Sequence, residues 1–153
     1  MFNSFQSSIK RSKTTITIVF LVFSFLLSSC QLFKDSNGPA LDGYCPVCYF
    51  TKGEAVKGLE QYSSVYEGKT YYFDNEESLA LFNKTPQNYL PAYNGYCAYA
   101  VSKGKKVDSN PKHFTVLDGK LYLNYNKNIK NKFDKASSSY IDAADQNWPK
   151  VSQ

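Results

Sequence analysis

Histidine and arginine are almost missing from this chain of 153 residues: His113 and Arg11 are the only ones. With one imidazole no Ser-His-Asp set can be identified. Neither a phosphate-cradling loop nor a pair of carboxylates placed for acid–base work is visible, so an ordinary hydrolase is disfavoured and a non-enzymatic role is expected. The scarcity of arginine removes the planar fork that reads phosphates and bases, so nucleic acid is not an expected partner despite a formal charge of +5. No low-complexity segment, internal repeat or second domain is evident, and the length suits a single domain.

What is present begins with an export signal. Lys10, Arg11 and Lys13 precede an apolar run from Ile16 to Leu27, which ends in Leu27-Ser28-Ser29-Cys30. The run is too short for a spanning helix, which needs about 20 apolar residues. The ending resembles the lipobox of bacterial lipoproteins. That resemblance implies a signal peptide over residues 1–29, cleavage before Cys30 and lipid on its sulfur, with residues 30–39 as a lipidated tether. Several acyl chains hold a protein stably on a membrane. The expected location is the bacterial cell envelope, facing the periplasm or the exterior. Removing Lys10, Arg11 and Lys13 lowers the formal charge from +5 to +2, because no acidic residue precedes Cys30.

Three cysteines remain once Cys30 carries lipid: Cys45, Cys48 and Cys97. The odd count leaves at least one thiol outside any internal disulfide. Cys45 and Cys48 stand in Gly43-Tyr44-Cys45-Pro46-Val47-Cys48-Tyr49-Phe50. Two thiols three positions apart suit a soft metal or electron exchange better than core filling. Pro46 suggests a helix start with Cys45 at the N-cap and Cys48 three residues in, near the positive helix end where thiolates are favoured. Further along, Val65 to Phe73 reads as a hairpin about Glu67-Gly68, and Phe114 to Leu123 as a hairpin about Asp118-Gly119. Asp74 is placed to cap a helix carrying Leu79, Leu81 and Phe82 that ends at Pro86. Gly95 to Val101 fits helix or strand. Ile129 and Phe133, then Tyr140, Ile141 and Ala144 after three serines, carry a helical pattern closed by Trp148-Pro149.

Taken together, these stretches resemble the YHS domain family in its exported single-domain branch. The likeness rests on Gly43-Tyr44-x-Pro46-Val47-x-Tyr49-Phe50, Tyr71-Tyr72-Phe73, Leu81-Phe82, Tyr93-x-Gly95-Tyr96-Cys97-Ala98-Tyr99-Ala100, Asp118 to Tyr125, and Ala144-Asp145-x-Asn147-Trp148-Pro149. It spans nearly all of residues 40–150. It implies an α+β fold, a small antiparallel sheet built from hairpins with short helices and a helical C-terminal segment. It also implies metal handling, copper above all. The Tyr-His-Ser tripeptide is absent, and Cys45 stands where relatives commonly have Asp. A thiol is a poor substitute for a capping carboxylate, which suggests that the sulfur has a task.

Three readings of the thiols follow. Cu(I) accepts few ligands and favours thiolates, so Cys45 and Cys48, with Cys97 as a third, would hold it; a metal-donor or acceptor protein is then a natural partner. Zinc would draw on Cys45, Cys48, Cys97 and His113 together. Alternatively the pair is an exported thiol-disulfide couple, although the βαβ surroundings usual for such a site are missing. In the third reading the cysteines only brace a binding module. Taken alone, Cys97 reads as a small buried residue and His113 as a solvated one.

Overall fold

The computed structural model describes residues 38–153; the signal, Cys30 and the tether up to residue 37 lie outside the described residues. The order of elements is a tight turn at Ala40–Gly43, α1 (Cys48–Thr51), β1 (Leu59–Tyr66), β2 (Lys69–Phe73), α2 (Glu76–Lys84) and a turn at Pro86–Tyr89. A second tight turn at Ala92–Gly95 follows, then α3 (Ala98–Ser102), β3 (Asn110–Leu117), β4 (Lys120–Asn124), α4 (Lys127–Asp134) and α5 (Ser137–Val151). The fold is α+β. Its strands form two separate antiparallel pairs, β1 with β2 and β3 with β4. Among the described residues no helix is long and apolar enough to cross a membrane.

The chain is built twice on one plan, residues 39–90 and then 91–151. Each half opens with Pro-Ala, two residues and Gly-Tyr-Cys. In each half the two residues before the glycine are left-handed: Leu41 and Asp42 (φ 55° and 50°), then Tyr93 and Asn94 (55° and 53°). Cys45 N–H donates to Val56 O at 2.8 Å, as Cys97 N–H does to Val107 O at 2.9 Å. Both hairpins turn through two residues of positive φ, Glu67-Gly68 and Asp118-Gly119, the conformation that matches strand twist. Their pairing slips at the same place, between Leu59 and Ser63 in one and between Asn110 and Phe114 in the other. Both following helices are capped by asparagine, Asn75 accepting from Ser78 N and Asn126 from Ile129 N. The expectation of no internal repeat is therefore corrected. Backbone geometry has been kept where side chains have diverged.

Each half has its own core. Phe82 is fully buried among Tyr66, Tyr71, Phe73 and Tyr89, and Phe133 among Tyr122 and Tyr140. Burying such a side chain is worth about 1.5–3 kcal/mol. A third cluster, with Tyr44, Tyr49, Leu121 and Leu123 at its centre, joins the halves. There the Tyr49 ring meets Phe114 at 4.7 Å and its hydroxyl donates to Pro111 O. Gly58 lies so close to the β2 backbone that an added Cβ would stand 2.4 Å from Tyr72 C. No larger residue fits there without moving the strand.

Two details of the C-terminal segment differ from expectation. The three serines begin α5 instead of interrupting a helix, with Ser137 Oγ donating to Phe133 O. Pro149 lies inside α5, two residues before its end. Having no N–H, Pro149 cannot donate to the Asp145 carbonyl, and the helix runs only two residues beyond it.

Candidate metal centre

Cys45 is delivered by the left-handed turn and fixed by its bond to Val56 O, while Cys48 opens α1. The helix is a single turn capped by Val47 in a helical conformation: Phe50 N–H and Thr51 N–H both donate to Val47 O. Cys45 is therefore not the N-cap, and Cys48 is the first helical residue, not the third. So short a helix carries little macrodipole, and the expected thiolate stabilisation by the helix end is absent. Both thiols are instead fully buried, against Val47, Tyr71, Phe73 and Phe82.

The residue missed by sequence reasoning is Asp74. It lies between β2 and α2, and because Asn75 caps the helix, the Asp74 carboxylate is left for other partners. Cys45 Sγ–H donates to Asp74 Oδ1 at 3.5 Å, and Asn75 Nδ2 donates to Oδ2 at 3.0 Å. Lys52, the residue after α1, sets its ammonium 2.5 Å from Oδ2; its side chain is 46% exposed against 9% for Asp74. One ligand atom from each of Cys45, Cys48 and Asp74 lies within 4.8 Å of the other two. The sequence left both residues open: in Asp74-Asn75-Glu76-Glu77, asparagine is as good a cap as aspartate.

Electrostatics follow from burial. The Cys48 thiol is pushed far above the ordinary thiol range, first by desolvation, then by hydrogen bonding with Cys45 and Asp74. For Asp74 burial acts upward too, but hydrogen bonds from Lys52, Ser78 and Cys48 outweigh it. The carboxyl is held well below the usual carboxylate range. The centre is thus a Cys48 thiol held neutral and a Cys45 thiol hydrogen-bonded to one ionised carboxylate, which Lys52 also contacts.

The structure places the other sequence candidates elsewhere. Cys97 is the counterpart of Cys45 in the second half; it is buried, with Sγ 3.8 Å from Asn124 Oδ1, and it is not in the cluster with Cys45 and Cys48. His113 sits half-buried on β3, also outside the cluster. In the second half Tyr125 follows β4 where Asp74 follows β2, and the path from Cys97 to Lys103 is one residue shorter than that from Cys45 to Lys52. Among the described residues no other group of three such ligands converges.

The fold and this cluster define a small duplicated α+β protein with one thiol–carboxylate centre. The family model of the YHS domain, a type known in metal-related proteins, matches residues 47–93, and this segment is similar to that domain. The matched segment contains Cys48, Lys52 and Asp74, while Cys45 lies two residues before it. Comparisons with curated proteins and with solved structures return no match.

Proposed function

We propose that this protein binds one soft metal ion, Cu(I), through the thiolates of Cys45 and Cys48, and hands it to or takes it from a partner at the bacterial envelope. The carrying observation is the convergence of those two sulfurs beside an ionised Asp74. The donor set fits. Two sulfurs suffice for Cu(I), whereas Zn²⁺ would need a fourth ligand that no described His, Cys, Asp or Glu supplies at this cluster. Copper would supply a one-electron-reduced soft cation. The chain's own part is to hold two sulfurs in a dry pocket and to balance charge with Asp74 and Lys52.

Burial weighs against thiol-disulfide exchange as the function. Exchange needs a thiolate that another molecule's disulfide can reach in line, a far larger visitor than a single ion, and here both thiols are fully buried while Cys48 is made harder to ionise. The lipid anchor at Cys30 belongs to the same proposal: it would keep the domain at the membrane surface. Titration of the reduced protein with Cu(I) against a competing chelator tests the metal reading. Stoichiometric uptake that Cys45→Ser and Cys48→Ser each abolish is the expected result; equal uptake by parent and variants would remove it.

A further inference from the structure

The two halves of the chain allow one copy to be read against the other at Lys52. Its counterpart is Lys103: both follow the first helix of their half, and each precedes a left-handed glycine, Gly53 and Gly104. In the first half the ammonium is on Asp74. In the second half Tyr125 takes the place of that carboxylate, and Lys103 lies over two aromatic rings, 5.6 Å from the centre of Tyr99 and 5.1 Å from that of Tyr140. Those two rings meet edge to face, with centres 5.0 Å apart.

The first half has the same kind of ring pair. Phe50 and Tyr89 meet edge to face with centres 5.6 Å apart, and Tyr89 packs on Phe82 as Tyr140 packs on Phe133. Lys52 therefore has two seats within its own half. One is Asp74, which it occupies here; the other is the ring of Tyr89, the counterpart of the Tyr140 ring beside Lys103, with Phe50 standing two residues before its lysine where Tyr99 stands four. An ion pair on a half-exposed lysine and a cation–π contact are of the same order of strength, so a modest change at the carboxylate decides between them.

We propose that Lys52 is a two-position latch on the thiol centre: it closes on Asp74 in the metal-free protein and moves onto the Tyr89 ring when a cation arrives beside Asp74. This rests on the reading of Cys45 and Cys48 as a Cu(I) site. Without the move an incoming cation meets an ammonium already on the one carboxylate of the centre. With it, Asp74 is freed to face the ion, and the lysine keeps a favourable contact instead of bare solvent.

The test is NMR of the full chain in detergent micelles, with lysine Cε carrying ¹³C and the Lys52 signal assigned by its loss in Lys52→Arg. Lys103 supplies the internal reference, because ring currents move its methylene protons upfield. In the metal-free parent the Lys52 signal is expected away from that position. It should move upfield in metal-free Asp74→Ala, and again in the parent on addition of one equivalent of Cu(I). In the loaded protein, Tyr89→Leu should abolish that shift while Cu(I) stays bound. Stoichiometric Cu(I) uptake with an unmoved Lys52 would overturn the latch and leave the metal reading standing. Absence of Cu(I) uptake would sink the metal reading and the latch with it.

Discussion

Copper uptake by this centre should depend steeply on pH, and the slope follows from the proton inventory. In the metal-free protein Cys45 carries its hydrogen, which it donates to Asp74, and burial holds Cys48 in its neutral form. Binding between two thiolates must release both protons. Below the folded thiol pKa each released proton changes the affinity about tenfold per pH unit. Two protons give about 10⁴-fold between pH 6 and pH 8. The sign is set by the raised thiol: protons compete with the metal, so affinity climbs with pH. Asp74 adds little to this slope, because its lowered pKa keeps it ionised throughout that window. A chromophoric chelator whose own protonation is known can report the apparent constant at half-unit steps, with calorimetry in two buffers counting the protons directly. Release of one proton would mean that a single cysteine ligates. A flat profile would mean that the thiols are already ionised, and the argument from burial would be refuted.

Other outcomes follow from the same geometry. Cys97→Ala should leave Cu(I) stoichiometry unchanged in a chelator titration, because Cys97 faces Asn124 and not the centre; loss of the ion with the fold intact would return Cys97 to the ligand set. Gly58→Ala should lower stability by about 1–3 kcal/mol in urea unfolding, because the new methyl meets the β2 backbone. An unchanged midpoint would show that the strand gives way freely. Palmitate labelling in a bacterial host should be lost in Cys30→Ala, and labelling that persists would remove the anchor.

The elements legible in the chain were those with strong local chemistry. Glu67-Gly68 and Asp118-Gly119 specify their hairpins because both turn residues need positive φ. Tyr89 and Leu90, partly buried, pack against the first core. The helix start at the cysteines was misplaced because Pro46 fits a plain turn as readily as a first helical position. Asp74 was misassigned by one residue, since aspartate and asparagine compete for the cap and local pattern cannot choose between them. The duplication escaped because its recurring letters are scattered: beyond Pro-Ala and Gly-Tyr-Cys only Lys-Gly, Gly-Lys and isolated Val, Tyr, Asn and Phe positions repeat, while Phe73 answers to Asn124 and Asp74 to Tyr125. Cys97 looked like a third ligand because sequence cannot show that it belongs to the other copy.

A polypeptide that repeats its own blueprint faces a recognition problem during assembly, since either half could accept a neighbour's counterpart in place of its own. Asn124 bears on that problem. It is fully buried, accepts from Tyr99 N–H through Oδ1 and leaves its Nδ2 without a protein partner, where the first half has the apolar Phe73. A polar amide at that depth costs stability, yet it makes the two interiors mutually unsuitable, so that a swapped half would meet a mismatched lining.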